Sequence, residues 1–148
     1  MKWYLAAGLT AVLAIGADAA KDEAIRKDLE NFQGTWTVES MDLDGKPLAE
    51  EKRQKIKLVI KGEDFRFHNA EGGSEPGLYK IDPTKDPKEL NIVISEGSDK
   101  GKVYLVIYKF ENGKMIQCME LGNKARPKSF TGTAGSGCAL EVWQRQKP

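Results

Sequence analysis

The run Val103 to Leu121, VYLVIYKFENGKMIQCMEL, decides how the rest of the chain is read. Val103 to Phe110 is built from β-branched and aromatic residues, which suit a pleated, half-buried surface. Asn112-Gly113 then offers the two residue types that tolerate the positive φ of a two-residue turn. Met115 to Leu121 resumes the apolar pattern, so the stretch predicts a β-hairpin. Working outward, the same two-residue rhythm recurs. Leu90 to Ser95 (LNIVIS) puts Leu90, Ile92 and Ile94 on one face, and Gly77 to Asp82 (GLYKID) stops at Pro83. Asp64 to Asn69 (DFRFHN) sets Phe65 and Phe67 against Arg66 and His68. Ile56 to Lys61 (IKLVIK) ends at Gly62, and Thr35 to Asp42 (TWTVESMD) alternates Trp36 and Val38 with Thr37 and Glu39. Cys138 to Gln146 (CALEVWQRQ) is the last strand, and a short piece near Ser129 to Thr131 is a further candidate.

About eight strands separated by short Gly, Pro, Asn and Asp turns leave no room for the long crossovers that parallel strands need. The sheet is therefore expected to be antiparallel, with sequence neighbours adjacent in space. An all-β chain of this kind closes as a barrel or packs as a sandwich. Before it, Ala20 to Phe32 (AKDEAIRKDLENF) carries Ala24, Ile25, Leu29 and Phe32 as one apolar stripe, which predicts a short helix ended by Gly34. Asp44-Gly45 is a second turn signal, and Pro47 to Gln54 reads as a helical turn or two.

The first residues read differently. Lys2, the apolar run Leu5 to Ile15 and the small-x-small triplet Ala17-Asp18-Ala19 match a secretory signal peptide cut after Ala19. The expected organisation is thus residues 1–19 as leader and 20–148 as one domain, secreted or periplasmic, with no stable membrane anchor after cleavage. The run is shorter than the ~20 residues of a transmembrane helix. Of 148 residues, 23 are Lys or Arg and 22 Asp or Glu, and the formal net charge of +1 gives no broad field for nucleic acid. Two Cys and one His fall short of a structural zinc site, so no metal or other cofactor is expected. Outside the cytoplasm, Cys118 and Cys138 have two open outcomes, a disulfide or two buried thiols.

Gly34-Thr35-Trp36, on the first strand after a short helix, resembles the first sequence motif of lipocalins. That resemblance implies an eight-stranded antiparallel up-and-down barrel with a short N-terminal helix. It also implies a Trp plugging the closed end and a basic residue from the last strand, here Arg145, lying across its ring. A wider set of residues is similar to an uncharacterised lipocalin-like secreted family abundant in planctomycete bacteria. It includes Phe32-Gln33-Gly34-Thr35-Trp36, Asp44-Gly45-Lys46-Pro47, Leu58-Val59-Ile60-Lys61-Gly62 and Ile81-Asp82-Pro83. Glu96 to Lys102 with Tyr104 and Tyr108, then Arg126-Pro127, Phe130 and Gly135-Ser136-Gly137, complete it. Cys138 departs from the family's pattern, so a disulfide would belong to this member alone.

Chemistry-bearing constellations are weak. His68 alternates opposite Phe65 and Phe67 and reads as a solvated strand-end residue. Gly132 to Gly137 (GTAGSG) lacks both the Gly-Lys-Ser/Thr ending of a phosphate loop and the first Gly of a nucleophile elbow. Lys52, Arg53, Lys55 and Lys57 are interleaved with Glu50 and Glu51 and read as a charged surface. No catalytic residues are expected. The first expectation is a barrel holding a small apolar ligand in a cavity of at least ~300 Å³. Phe65, Phe67, Tyr79, Tyr104 and Tyr108 would face it, with Trp36 and Arg145 structural. The alternative is a filled barrel acting as an interaction or protease-inhibitor-type protein through loops such as Gly122 to Ser136 or Asp82 to Lys88.

Overall fold

The structure is a computed structural model that describes residues 11–122 and 125–148. Residues 1–10, and with them most of the expected leader, lie outside the described residues. Helix α1 (Ala11–Phe32) runs unbroken past Ala19 and so begins well before the expected Ala20. Its exposed stretch reaches Glu23; Ile25 and Leu29 then pack on the core, and Phe32 is fully buried. Among the described residues no helix is long and apolar enough to cross a membrane.

Among the described residues nine strands follow in one antiparallel sheet. They are β1 (Gly34–Leu43), β2 (Lys46–Pro47), β3 (Lys57–Lys61), β4 (Asp64–His68) and β5 (Ser74–Asp82), then β6 (Lys88–Ile94), β7 (Val103–Glu111), β8 (Lys114–Glu120) and β9 (Cys138–Arg145). A single helical turn, α2 (Glu50–Arg53), joins β2 to β3. Each long strand pairs with its successor, and β1 pairs with β9 from Trp36↔Arg145 to Leu43↔Ala139. That pairing closes an eight-stranded barrel, and β2 is an extra strand folded back on β1. Asp44 (φ 48°) with Gly45 (φ 83°), and Asn112 (φ 52°) with Gly113 (φ 74°), form the two tight turns their residue types predict.

Three departures from the sequence expectation have local causes. β5 starts at Ser74 rather than Gly77, taking in Pro76. Pro76 has no N–H to return a bond to Ser95, so the β5–β6 ladder stops at Gly77↔Ile94, while its carbonyl still accepts from the Ser95 N–H at 3.0 Å. The register of β1 shifts between Val38 and Ser40, a bulge that turns Met41 rather than Ser40 into the core. No strand forms at Ser129 to Thr131. Residues 125–137 instead lie over the outside of the sheet, tied by Arg126, which donates to the carbonyls of Leu90 (2.9 Å) and Val106 (2.7 Å).

The start of β1, the ends of β3, β5, β7 and β9, and α1 gather at one end of the barrel. Trp36 is fully buried there; its indole N–H donates to the Phe32 carbonyl at 2.8 Å, and the Arg145 guanidinium lies 4.3 Å from its ring centre. Arg145 also donates to the carbonyls of Asn31 (2.9 Å) and Gln33. Gly34 has a φ of +117°, and a Cβ there would come within 2.9 Å of Arg145 Nη1. Only glycine suits that junction.

Candidate functional site

Strand alternation selects the inward side chains. Along β5 these are Glu75, Gly77, Tyr79 and Ile81; along β8, Met115, Gln117 and Met119; along β9, Ala139, Glu141 and Trp143. At the helix-capped end these positions are filled. Phe32 contacts Tyr108 and Phe110 at ring-centre distances of 4.9 Å each and Tyr79 at 5.6 Å. At the opposite end the barrel is hollow. A cavity of about 250 Å³ opens there, walled by Phe65, Phe67, Tyr79, Tyr104 and Trp143 with Leu58, Ile92, Ile94, Met119 and Leu121.

Four of the five residues expected to face a ligand, Phe65, Phe67, Tyr79 and Tyr104, line this cavity. Tyr108 does not. It points inward but sits deeper, at the filled end, where its hydroxyl donates to Asp28 Oδ2 at 2.8 Å. Lys88 Nζ reaches the same oxygen at 2.8 Å, so Asp28 of α1 is pinned to both β6 and β7. Burial, and then the Asp28 carboxylate beside it, push the Tyr108 hydroxyl well above the usual phenol range.

The polar part of the cavity wall was not anticipated. Glu141, Gln117 and Glu75 all line it. Glu141 is 7% exposed, and its Oε2 accepts the Trp143 indole N–H at 2.9 Å. Burial pushes its carboxyl up to about 7, with the Trp143 bond opposing that rise. Gln117, directly opposite Glu141 in the register, donates to the Tyr79 hydroxyl at 3.3 Å. Burial also raises Tyr79; the bond from Gln117 opposes this and the charge of Glu141 adds to it. Glu75 contributes a buried oxygen, Oε1, with no hydrogen-bond partner among the described residues. A signal for two of these existed: Gln117 sits two residues from Met115 and Met119, and Glu141 two from Trp143, polar groups in apolar register. Gly77 makes room for the wall, since a Cβ there would sit 2.5 Å from the Phe65 ring.

At the rim, the Lys102 ammonium stands 4.7 Å from the Tyr104 ring centre. The Tyr104 hydroxyl, and after it the charges of Asp99 and Glu75, hold that ammonium above the usual lysine range. His68 is half-buried, and alternation places it on the outer face. Cys118 and Cys138 are both buried and are not joined in this structure. The register makes them diagonal neighbours (Cys118↔Leu140, Glu120↔Cys138). Their side chains meet, and beyond burial the Cys138 thiol adds to the rise of the Cys118 pKa. Both point outward, into a small apolar cluster with Ile107, Phe130 and Leu140 beneath residues 125–137. Cys118 donates to the Thr131 carbonyl at 3.2 Å, and burial pushes its thiol up to about 11. Among the described residues, no three His, Cys, Asp or Glu gather as a metal site.

No family model, no curated protein and no solved structure matches the chain.

Proposed function

We propose that this protein is an exported binding protein whose barrel takes up one small, largely apolar molecule at its open end. The cavity of about 250 Å³ carries the reading: it is walled by aromatic and aliphatic side chains and has a few polar groups at fixed positions. It falls short of the ~300 Å³ expected from the sequence, which favours a single ring or a short chain over a long lipid. The secretory leader and the lipocalin-like kinship belong to the same proposal. A loop-borne interaction surface has less support, because among the described residues Val103 is the one large hydrophobic side chain counted as exposed. Phe130, on the expected interaction loop, packs inward against Cys118 and Cys138.

The test is native mass spectrometry of the purified full chain after incubation with a mixed small-molecule and lipid extract. The expected result is a one-to-one adduct that Trp143→Ala or Phe67→Ala diminishes. A chain that returns with no adduct contradicts the reading.

A further inference from the structure

We propose that the ligand of this barrel carries a compact organic cation, such as a protonated amine, on an apolar body, with the cation held at Glu141. This rests on the ligand-binding reading above and specifies which chemical class the cavity accepts.

The wall contains two carboxyl groups, Glu75 and Glu141, and among its described lining residues no Lys, Arg or His. A carboxylate in an apolar site is costly unless something positive or hydrogen-bonding meets it. Among the described residues Glu141 receives one neutral donor, the Trp143 indole, and Glu75 Oε1 receives none. Both groups are therefore short of donors in a cavity large enough to admit a molecule that would supply them. The rings around them add a second preference of the same sign. Trp143 and Phe67 meet nearly perpendicular with centres 6.5 Å apart, and Phe65 and Tyr79 lie 5.1 Å apart. Aromatic faces attract cations, most strongly when water is excluded. A fatty acid or other carboxylate would meet like charge at Glu141, with no cation among the described lining residues to offset it. Lys102 is exposed and stands over Tyr104 at the rim, outside the wall. The Glu141 carboxyl, pushed up to about 7 by burial, is mostly ionised at pH 8, where ordinary alkylamines remain protonated.

The experiment titrates the full chain at pH 8 with four probes of one shape: 2-phenylethylamine, 2-phenylethanol, ethylbenzene and 3-phenylpropanoate. The amine is expected to bind about tenfold more tightly than the alcohol, and the propanoate most weakly. Glu141→Gln is expected to erase the amine's advantage while the alcohol still binds, which also shows that the variant folds. Glu75→Gln, nearer the rim, is expected to reduce the advantage by a smaller factor. If the alcohol or ethylbenzene binds and the amine binds no better, or the propanoate binds best, the cation inference falls and the binding cavity stands. If none of the four binds, both are overturned.

Discussion

The two ends of the barrel share one strand rhythm and reach opposite outcomes. At the helix-capped end the inward positions hold Trp36, Leu90, Tyr108 and Met115, each at most 1% exposed, with Phe32 of α1 inserted among them. Their polar atoms are matched: Trp36 with the Phe32 carbonyl, and Tyr108 and Lys88 with Asp28. At the open end the same inward parity delivers Glu75, Gln117 and Glu141 beside aromatic rings, around a space that none of the described elements fills. Alternation thus decides which side chains point inward. Whether they form a core or a cavity depends on what caps the end. The helix supplies a ring and a carboxylate to one end, and among the described residues nothing equivalent enters the other.

If the capped end is the part that holds the barrel together, its largest ring should be the most costly to remove. Trp36→Ala is expected to lower stability by about 3–5 kcal/mol in urea unfolding. Phe67→Ala, beside the cavity, should cost less than half of that, because its neighbours already border empty space. Equal losses would break the contrast.

The polar groups sharpen it next. Burial raises Glu141 above the ordinary carboxylate value of 4.5, to about 7. Between those values the folded protein binds more protons than the unfolded chain, so stability falls as pH rises through this window. The full effect is on the order of 3 kcal/mol, and Glu141→Gln should flatten the decline. The readout is unfolding free energy at pH 5 and pH 8 for both proteins; an unchanged slope in the variant contradicts the assignment. At the capped end, Asp28→Ala leaves the Tyr108 hydroxyl buried without its acceptor and should cost about 1–3 kcal/mol. This loss should show as weaker amide-exchange protection in α1 before the sheet is affected. The smallest effect is expected for Tyr104→Phe, within about 0.5 kcal/mol, since this ring is half-exposed at the mouth.

Much of this architecture is legible in the sequence. The Asn112-Gly113 and Asp44-Gly45 turns, the alternating apolar runs and the Ile25, Leu29, Phe32 stripe each have a local physical cause that composition displays. Depth along a strand has no such marker. Tyr104 and Tyr108 share a face, but four residues at ~3.3 Å each put them ~13 Å apart, one at the mouth and one under the helix. Placing Tyr108 requires knowing that Asp28 reaches it from 80 residues away. Glu75 is hidden because Glu71 to Glu75 (EGGSE) reads as a solvated turn, whereas pairing of Ser74 to Pro76 with β4 carries the strand through it. Cys118 and Cys138 show a related limit: spacing could not reveal a register that sets them diagonally across two strands.

The central claim is that one end of this barrel is solid and the other hollow. A crystal of the full chain under xenon pressure tests it directly, since xenon occupies apolar voids independently of any natural ligand. The account predicts xenon density between Phe67, Tyr104 and Trp143, and none among Phe32, Trp36 and Tyr108. Density in the helix-capped core, or none at the open end, would contradict it.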